Sequence, residues 1–207
     1  MSELSDNNNS ETMERRSLRC YAPVHISRNS RLQPAIRRVW AMPSRHTFKI
    51  RPIEQLVRHY VGNGIAWVDP FAGENSPAEL TNDLNETKPT KYHLHIVDFA
   101  KMLVGEYEGV LFDPPYNTAQ LKECYEGIGL QMFQDDAQRF PQNVKEQIAP
   151  KIRMGGLAIC CGWSTQGFGR NLGFKLIEIL IVSHGQSHND TLVTVETKAS
   201  HQERLLL

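Results

Sequence analysis

The chain has no apolar run long enough to cross a bilayer, and its polar start lacks the pattern of a secretory signal. A soluble protein of the cytoplasm is the expectation. Cysteine is scarce. Cys20, Cys124 and the adjacent pair Cys160-Cys161 form no C-x-x-C spacing, and the pair ends an apolar run as small core residues do. The reading is a reducing compartment and no structural zinc. His184 and His188 fall in one short connection with no further ligands nearby in sequence, where a metal site needs about three or four. Acid is missing altogether between Arg15 and Arg51, a stretch holding ten Lys or Arg residues. The rest of the chain carries thirteen basic residues against all 23 acids, so a formal net charge of zero hides a basic arm on an acidic body. Such an arm suits a polyanion such as nucleic acid, although charge runs alone are also common on solvated leaders.

What is present fits one domain of 207 residues with a sizeable core. Residues 1–16 are rich in Ser, Asn and Glu and are expected to be disordered. Residues 17–46 form the basic arm, read as irregular; 47–200 form the body and 201–207 a tail. In the body, Ile53, Leu56, Val57 and Tyr60 have helical spacing after Pro52, and Gly62-Asn63-Gly64 ends that helix. Strand-like runs follow at 65–68 and around 79–84, with too few residues between them for a full helix. Tyr92–Phe99 reads as a third strand entering a helix, and 110–112 as a buried strand. Asn117–Phe140 reads as a loop broken by Gly127 and Gly129. Pro141 opens a helix that Pro150 should kink, Gly155-Gly156 turns, and 157–161 is buried strand. A loop and short helix over 162–173 precede two runs, 174–182 and 190–197, close enough in sequence to pair antiparallel.

The chemistry concentrates where Val110-Leu111-Phe112 meets Asp113-Pro114-Pro115-Tyr116. Neither proline can donate to a ladder, so the strand must stop in a stiff corner presenting a carboxylate, free carbonyls and an aromatic face. Those groups can hold an exocyclic amine, with acceptors for its two hydrogens and a ring against the base that carries it. Asp69-Pro70-Phe71-Ala72-Gly73 is an acid and a glycine turn after a strand, placed where open α/β sheets bind ligands. Asp83, ten residues beyond Gly73, is an acid able to accept from both hydroxyls of a ribose, with Leu84 as an apolar edge.

Asp113-Pro114-Pro115-Tyr116 resembles the catalytic motif of S-adenosylmethionine-dependent DNA methyltransferases that modify amino groups, and the leading Asp points to the adenine-N6 branch. Asp69–Gly73 resembles that family's cofactor loop, usually Asp-Pro-Phe-x-Gly. Asn82-Asp83-Leu84-Asn85 resembles small phage and prophage adenine methyltransferases, where the first crossover is brief. The likeness covers roughly residues 41–198. It implies an α/β, Rossmann-like methyltransferase fold, a mostly parallel sheet with an antiparallel C-terminal hairpin strand. It implies S-adenosylmethionine as cofactor, contacted by Phe48 and Lys49 at its methionine end, by Asp69, Pro70, Phe71, Ala72 and Gly73, by Asp83 and Leu84, and by Asp113. Asp98 and Phe99 would line the adenine pocket, with His95 standing where the family commonly has an acid. Asp113 and the Pro114 carbonyl would take the amine hydrogens, and Tyr116 would stack on a flipped base with Phe112 or Pro115 as a wall. DNA is the expected substrate, with a role in restriction-modification or its evasion. No separate recognition domain is visible, which leaves a homodimer or a helper subunit open. Methylation of RNA or of cytosine N4, and a non-catalytic binding module on the same fold, stay open as alternatives.

Overall fold

The computed structural model of the protein describes residues 33–131, 134–185 and 188–200, the stretch 134–139 by backbone alone. The expected disordered leader, the first half of the basic arm, Cys20 and the tail lie outside the described residues.

Among the described residues, seven strands form one sheet: β1 (Ala35–Trp40), β2 (Trp67–Asp69), β3 (Leu80–Thr81), β4 (Tyr107–Phe112), β5 (Ile152–Gly162), β6 (Phe174–Ser183) and β7 (Thr191–Lys198). Their spatial order is β1-β6-β7-β5-β4-β2-β3. All run parallel except β7, which sits antiparallel between β5 and β6. Helices α1 (Arg51–Val61), α2 (Ile96–Met102), α3 (Thr118–Glu126) and α4 (Gln134–Ile148) flank it. This is the Rossmann-like methyltransferase arrangement expected from the sequence, closing hairpin included.

Alternation along the strands divides the core between two faces. Val110, Phe112, Ala158 and Cys160 join one cluster with Phe99 and Leu103 of the α2 segment, Leu121 of α3, and Val144 and Ile148 of α4. The intervening Leu111, Ile159 and Cys161 are equally buried and point the other way. That second face includes Glu178, Leu180, Val193 and Val195 by register. Here α1 packs: the Tyr60 hydroxyl donates to Glu178 at 2.6 Å. Helix α1 starts one residue before Pro52 and buries Ile53, Leu56 and Val57 of the expected stripe together with Val61, while Tyr60 is half-buried.

Five local expectations fail. Ala35–Trp40 is an edge strand rather than irregular arm, because Arg37 pairs with the buried Glu178 and the backbone pairs with β6 over six positions. Tyr92–Phe99 is no strand: one bridge, Asn82 to Tyr92, replaces it, and α2 begins at Ile96. Asn117–Phe140 is largely helical, with Asn117 capping α3 by accepting the Gln120 N–H at 2.8 Å. Helix α4 runs through Pro141 and stops at Ile148, before Pro150. Gly155-Gly156 makes a bulge within β5, not a turn, since Gly155 has φ +76° and the β4–β5 register slips there. The crossover from β2 to β3 contains no helix, as its length requires. Among the described residues, no helix is long and apolar enough to cross a membrane.

Candidate functional site

Strands β3 and β4 lie on opposite sides of β2. The order therefore reverses at β2, and a crevice opens beyond the carboxyl ends of β2 and β4, the usual ligand position in such sheets. A cavity of about 700 Å³ fills it. It is lined from β2 by Pro70 and Phe71, from the β3 end by Asn82, Asp83 and Leu84, and from the β4 end by Asp113, Pro114, Pro115 and Tyr116. Three motifs far apart in sequence thus share one wall.

Each loop is held by a specific bond set. Asp69 is fully buried; its Oδ1 accepts the Phe71 N–H at 3.0 Å and so folds the turn back on the strand. Its Oδ2 completes no hydrogen bond, although the Ser76 hydroxyl is near enough to favour the anion slightly. Burial dominates and pushes this carboxyl up to about 7, with the Asp113 and Asp83 carboxylates adding smaller upward pushes. Asp83 ties the two loops together: Oδ2 accepts the Gly73 N–H at 3.2 Å and Oδ1 the Asn85 N–H at 2.8 Å. Gly73 has φ +54° with open space around it, so the position requires glycine for its backbone conformation.

The buried Asn82 is the joint of this wall. Its Nδ2 donates to the carbonyls of Pro70 (3.3 Å) and Leu94 (3.1 Å), and its Oδ1 accepts the Leu94 N–H at 2.9 Å. Its main chain bonds both Asp69 and Ala72. Asn82 belongs to the Asn-Asp-Leu-Asn string, yet nothing in its own residue type announces this bridging; only the meeting of three loops does.

On the β4 side the Tyr116 hydroxyl donates to Asp113 Oδ1 at 2.7 Å and lies 3.3 Å from Thr47 Oγ1. Gln120 Oε1 accepts the Tyr116 N–H at 2.8 Å, which fixes the ring's backbone to the first turn of α3. The Tyr116 ring meets Trp163 edge-on with centroids 5.6 Å apart. Burial raises Asp113 above the usual carboxylate range, and the Thr47 and Tyr116 hydroxyls offset part of that rise. Burial and the adjacent carboxylate push the Tyr116 phenol strongly upward, so it remains a donor. Phe71 packs between Phe112 (5.4 Å) and Phe140 (6.0 Å), giving the cavity an aromatic side.

Not every expected residue reaches the cavity. Phe48 is buried in the core and Lys49 is exposed, and neither lines it; Ser44, Arg45 and Thr47, just upstream, do. The 3-10 turn at Thr47–Lys49 spreads successive side chains around its axis, so Phe48 enters the core while Thr47 faces the cavity. Asp69, Ala72 and Gly73 shape the loop from behind. Asp98 and Phe99 are the clear corrections. Because α2 starts at Ile96, Phe99 faces the core against Tyr92, while Asp98 points outward, 3.8 Å from Lys101. Leu94 and Ile96 line the cavity in their place. His95 is the residue preceding α2 and does not line it.

No family model matches the chain, and no curated protein matches it in sequence. Solved structures resemble it loosely. Among them is 1,6-didemethyltoxoflavin-N1-methyltransferase from Burkholderia thailandensis, bound to 1,6-didemethyltoxoflavin and S-adenosylhomocysteine. It is 12% identical, with a TM-score of 0.49 over 72% of this chain and 78% of that one. TrmN from Thermus thermophilus is 14% identical, with a TM-score of 0.47; the match covers 72% of this chain and 49% of TrmN. The N-methyltransferase NodS from Bradyrhizobium japonicum is 7% identical, with a TM-score of 0.44 over 71% of this chain and 94% of that one.

Proposed function

We propose that the chain transfers a methyl group from S-adenosylmethionine to an exocyclic base amine, the N6 of adenine in DNA. The observation that carries this reading is the convergence of Asp113 and Pro114 on the same cavity as the glycine turn of β2 and the Asp83 carboxylate.

The residues fit the cofactor on physical grounds. Asp83 stands in the cavity wall with one backbone N–H on each oxygen, and each oxygen keeps a further acceptor position for a ribose hydroxyl. Leu84, Phe71 and Ile96 offer apolar surface for a purine, and the volume suits a drug-sized ligand with room for a base. S-adenosylmethionine, when bound, supplies an electrophilic methyl group.

The chain's own part is to prepare the amine. The lone pair of an exocyclic amine is delocalised into the base and is weakly nucleophilic. Ionised Asp113 and the Pro114 carbonyl accept its two hydrogens, localising the lone pair and stabilising positive charge as it grows on nitrogen. The Tyr116 hydroxyl holds Asp113 in place from the other side, and its ring walls the base. Alignment in a confined site supplies much of the rate, and no covalent enzyme intermediate is needed. Taking the base out of a duplex costs a few kcal/mol.

The decisive experiment is methyl transfer from labelled S-adenosylmethionine to duplex DNA, single-stranded DNA and RNA, with the modified base identified by mass spectrometry. Wild type should yield N6-methyladenine in DNA. Asp113→Ala should lose at least a hundredfold in turnover while largely keeping its affinity for S-adenosylhomocysteine. Full turnover in that variant, or product only in RNA or at cytosine N4, overturns the assignment.

A further inference from the structure

A second cavity opens beside Tyr116 on the sheet face that carries α2 to α4. It measures about 440 Å³ and is lined by Arg38, Trp163, Ile181, Asn189, Asp190 and Leu192. The register explains how such distant residues meet. Leu192 of β7 pairs with Gly162 of β5 on one side and Ile181 of β6 on the other, and Ile181 pairs with Arg38 of β1. This one row, three strand spacings or about 14 Å wide, runs from the edge strand β1 to Gly162, whose neighbour Trp163 touches Tyr116.

The row's surroundings are chemically unusual for a solvent-facing sheet: on β1, Ile36 and Trp40 flank Arg38 and are each 64% exposed, and Trp163 at the other end is 41% exposed. Between them stands Arg38, whose Nε donates to Ser183 Oγ at 2.9 Å and whose guanidinium lies 3.6 Å from Asp190. An aromatic face, an apolar floor, an amide, a carboxylate and an arginine together match what holds an unpaired nucleobase: stacking for the ring, polar groups for its edge, and a cation for the backbone.

We propose that this cavity takes an unpaired base adjoining the target nucleotide in the nucleic-acid substrate. The proposal rests on the reading that the Tyr116 cavity receives a base, and deepens it by assigning a second contact on the same strand. Two features of the site select this occupant. Its Trp163 packs against the Tyr116 ring that lines the first cavity, and Arg38, whose side chain is 70% exposed although it lies 3.6 Å from Asp190, offers guanidinium donors to a phosphate. Tyr116 lines the first cavity and Trp163 the second, so a strand crossing this ring pair places one base on each side. A substrate opened at more than the target base, or single-stranded there, is favoured over an intact duplex.

The test uses the full chain. Intrinsic tryptophan fluorescence is titrated with a short single-stranded oligodeoxynucleotide and with the same sequence fully paired, and S-adenosylhomocysteine affinity is measured by calorimetry. Quenching by the single strand is expected, at least fivefold tighter than by the duplex. Arg38→Ala and Asn189→Leu should each weaken it at least fivefold and leave S-adenosylhomocysteine affinity and the melting temperature unchanged. Wild-type oligonucleotide affinity in both variants overturns the proposal, as does equal quenching by duplex and single strand. Its failure separates from failure of the methyl-transfer reading. If DNA is methylated but both variants keep the wild-type KM for it, the second cavity alone is wrong. If no nucleic acid is methylated yet quenching depends on Arg38, the cavity stands and the reaction falls.

Discussion

The Tyr116 hydroxyl donates to Asp113 Oδ1 at 2.7 Å, so the acid at the end of β4 is held by a residue only three positions further along the same corner. The bond favours the carboxylate, while burial works against it and keeps Asp113 raised. Because the proposed role needs the ionised form, activity should rise with pH along a limb set above the usual carboxylate range. Tyr116→Phe keeps the ring and removes the bond. The limb should then move to higher pH, because the carboxylate loses a hydrogen bond that favours its ionised form. A pH–rate profile checks it; an unmoved limb places the titration elsewhere.

Asp69 gives a stability prediction of definite sign. Its carboxyl rises from 3.8 to about 7 on folding. The fold therefore favours the protonated form; the contribution is complete below about pH 4 and is lost as pH climbs through 7. Three units correspond to a swing on the order of 4 kcal/mol. Denaturant midpoints taken from pH 5 to 8 should fall with rising pH in the wild type. They should fall far less in Asp69→Asn, which keeps an acceptor for the Phe71 N–H. Parallel curves for the two proteins reject the assignment.

Asn82 joins the β2 loop, the β3 end and the segment entering α2 through three side-chain bonds. Asn82→Ala removes them and strands buried carbonyl and N–H groups, at about 3 kcal/mol of stability. Calorimetry should also show S-adenosylhomocysteine affinity reduced about tenfold or more, because the wall carrying Asp83 loses its support. Unchanged affinity would mean that the wall holds its shape without this residue.

Gly109 lies under the Trp67 ring within the sheet. A Cβ there would meet two Trp67 ring atoms at 2.6 Å and the Leu157 carbonyl oxygen at 2.8 Å. Trp67 is itself buried, and the carbonyl belongs to β5, so neither can retreat freely. Gly109→Ala should lower stability by about 2–3 kcal/mol through overpacking, read as a drop in denaturant midpoint with little change in slope.

Much of the fold was legible because the strands carry their own signatures. The apolar runs at 110–112 and 158–161 are buried on both faces, and the short link between the last two runs allows only an antiparallel pair. The missing helix between β2 and β3 follows from counting residues. Periodicity was a poor guide where helices are partly solvated. Thr118–Glu126 buries only Leu121 and Tyr125, too sparse a stripe to stand out, and its start rests on the Asn117 cap. Tyr92–Phe99 has strand-like composition, but only Tyr92 finds a bridging partner before α2 begins. That early start turns Asp98 to solvent and Phe99 to the core, which a strand reading could not foresee.

The sequence alone determined the stiff acidic corner after β4, the glycine turn after β2 and the acid after β3. Proline geometry, left-handed backbone and carboxylate chemistry are properties of the residues themselves. Tertiary structure decided that these three lie around one cavity, because only strand order sets which loops share an edge of the sheet. It also decided that Ala35–Trp40 becomes an edge strand through the Arg37–Glu178 pair, and that Trp163 comes to stand against Tyr116. Contacts between residues so far apart in the chain depend on the register of the sheet, and no local pattern encodes that register.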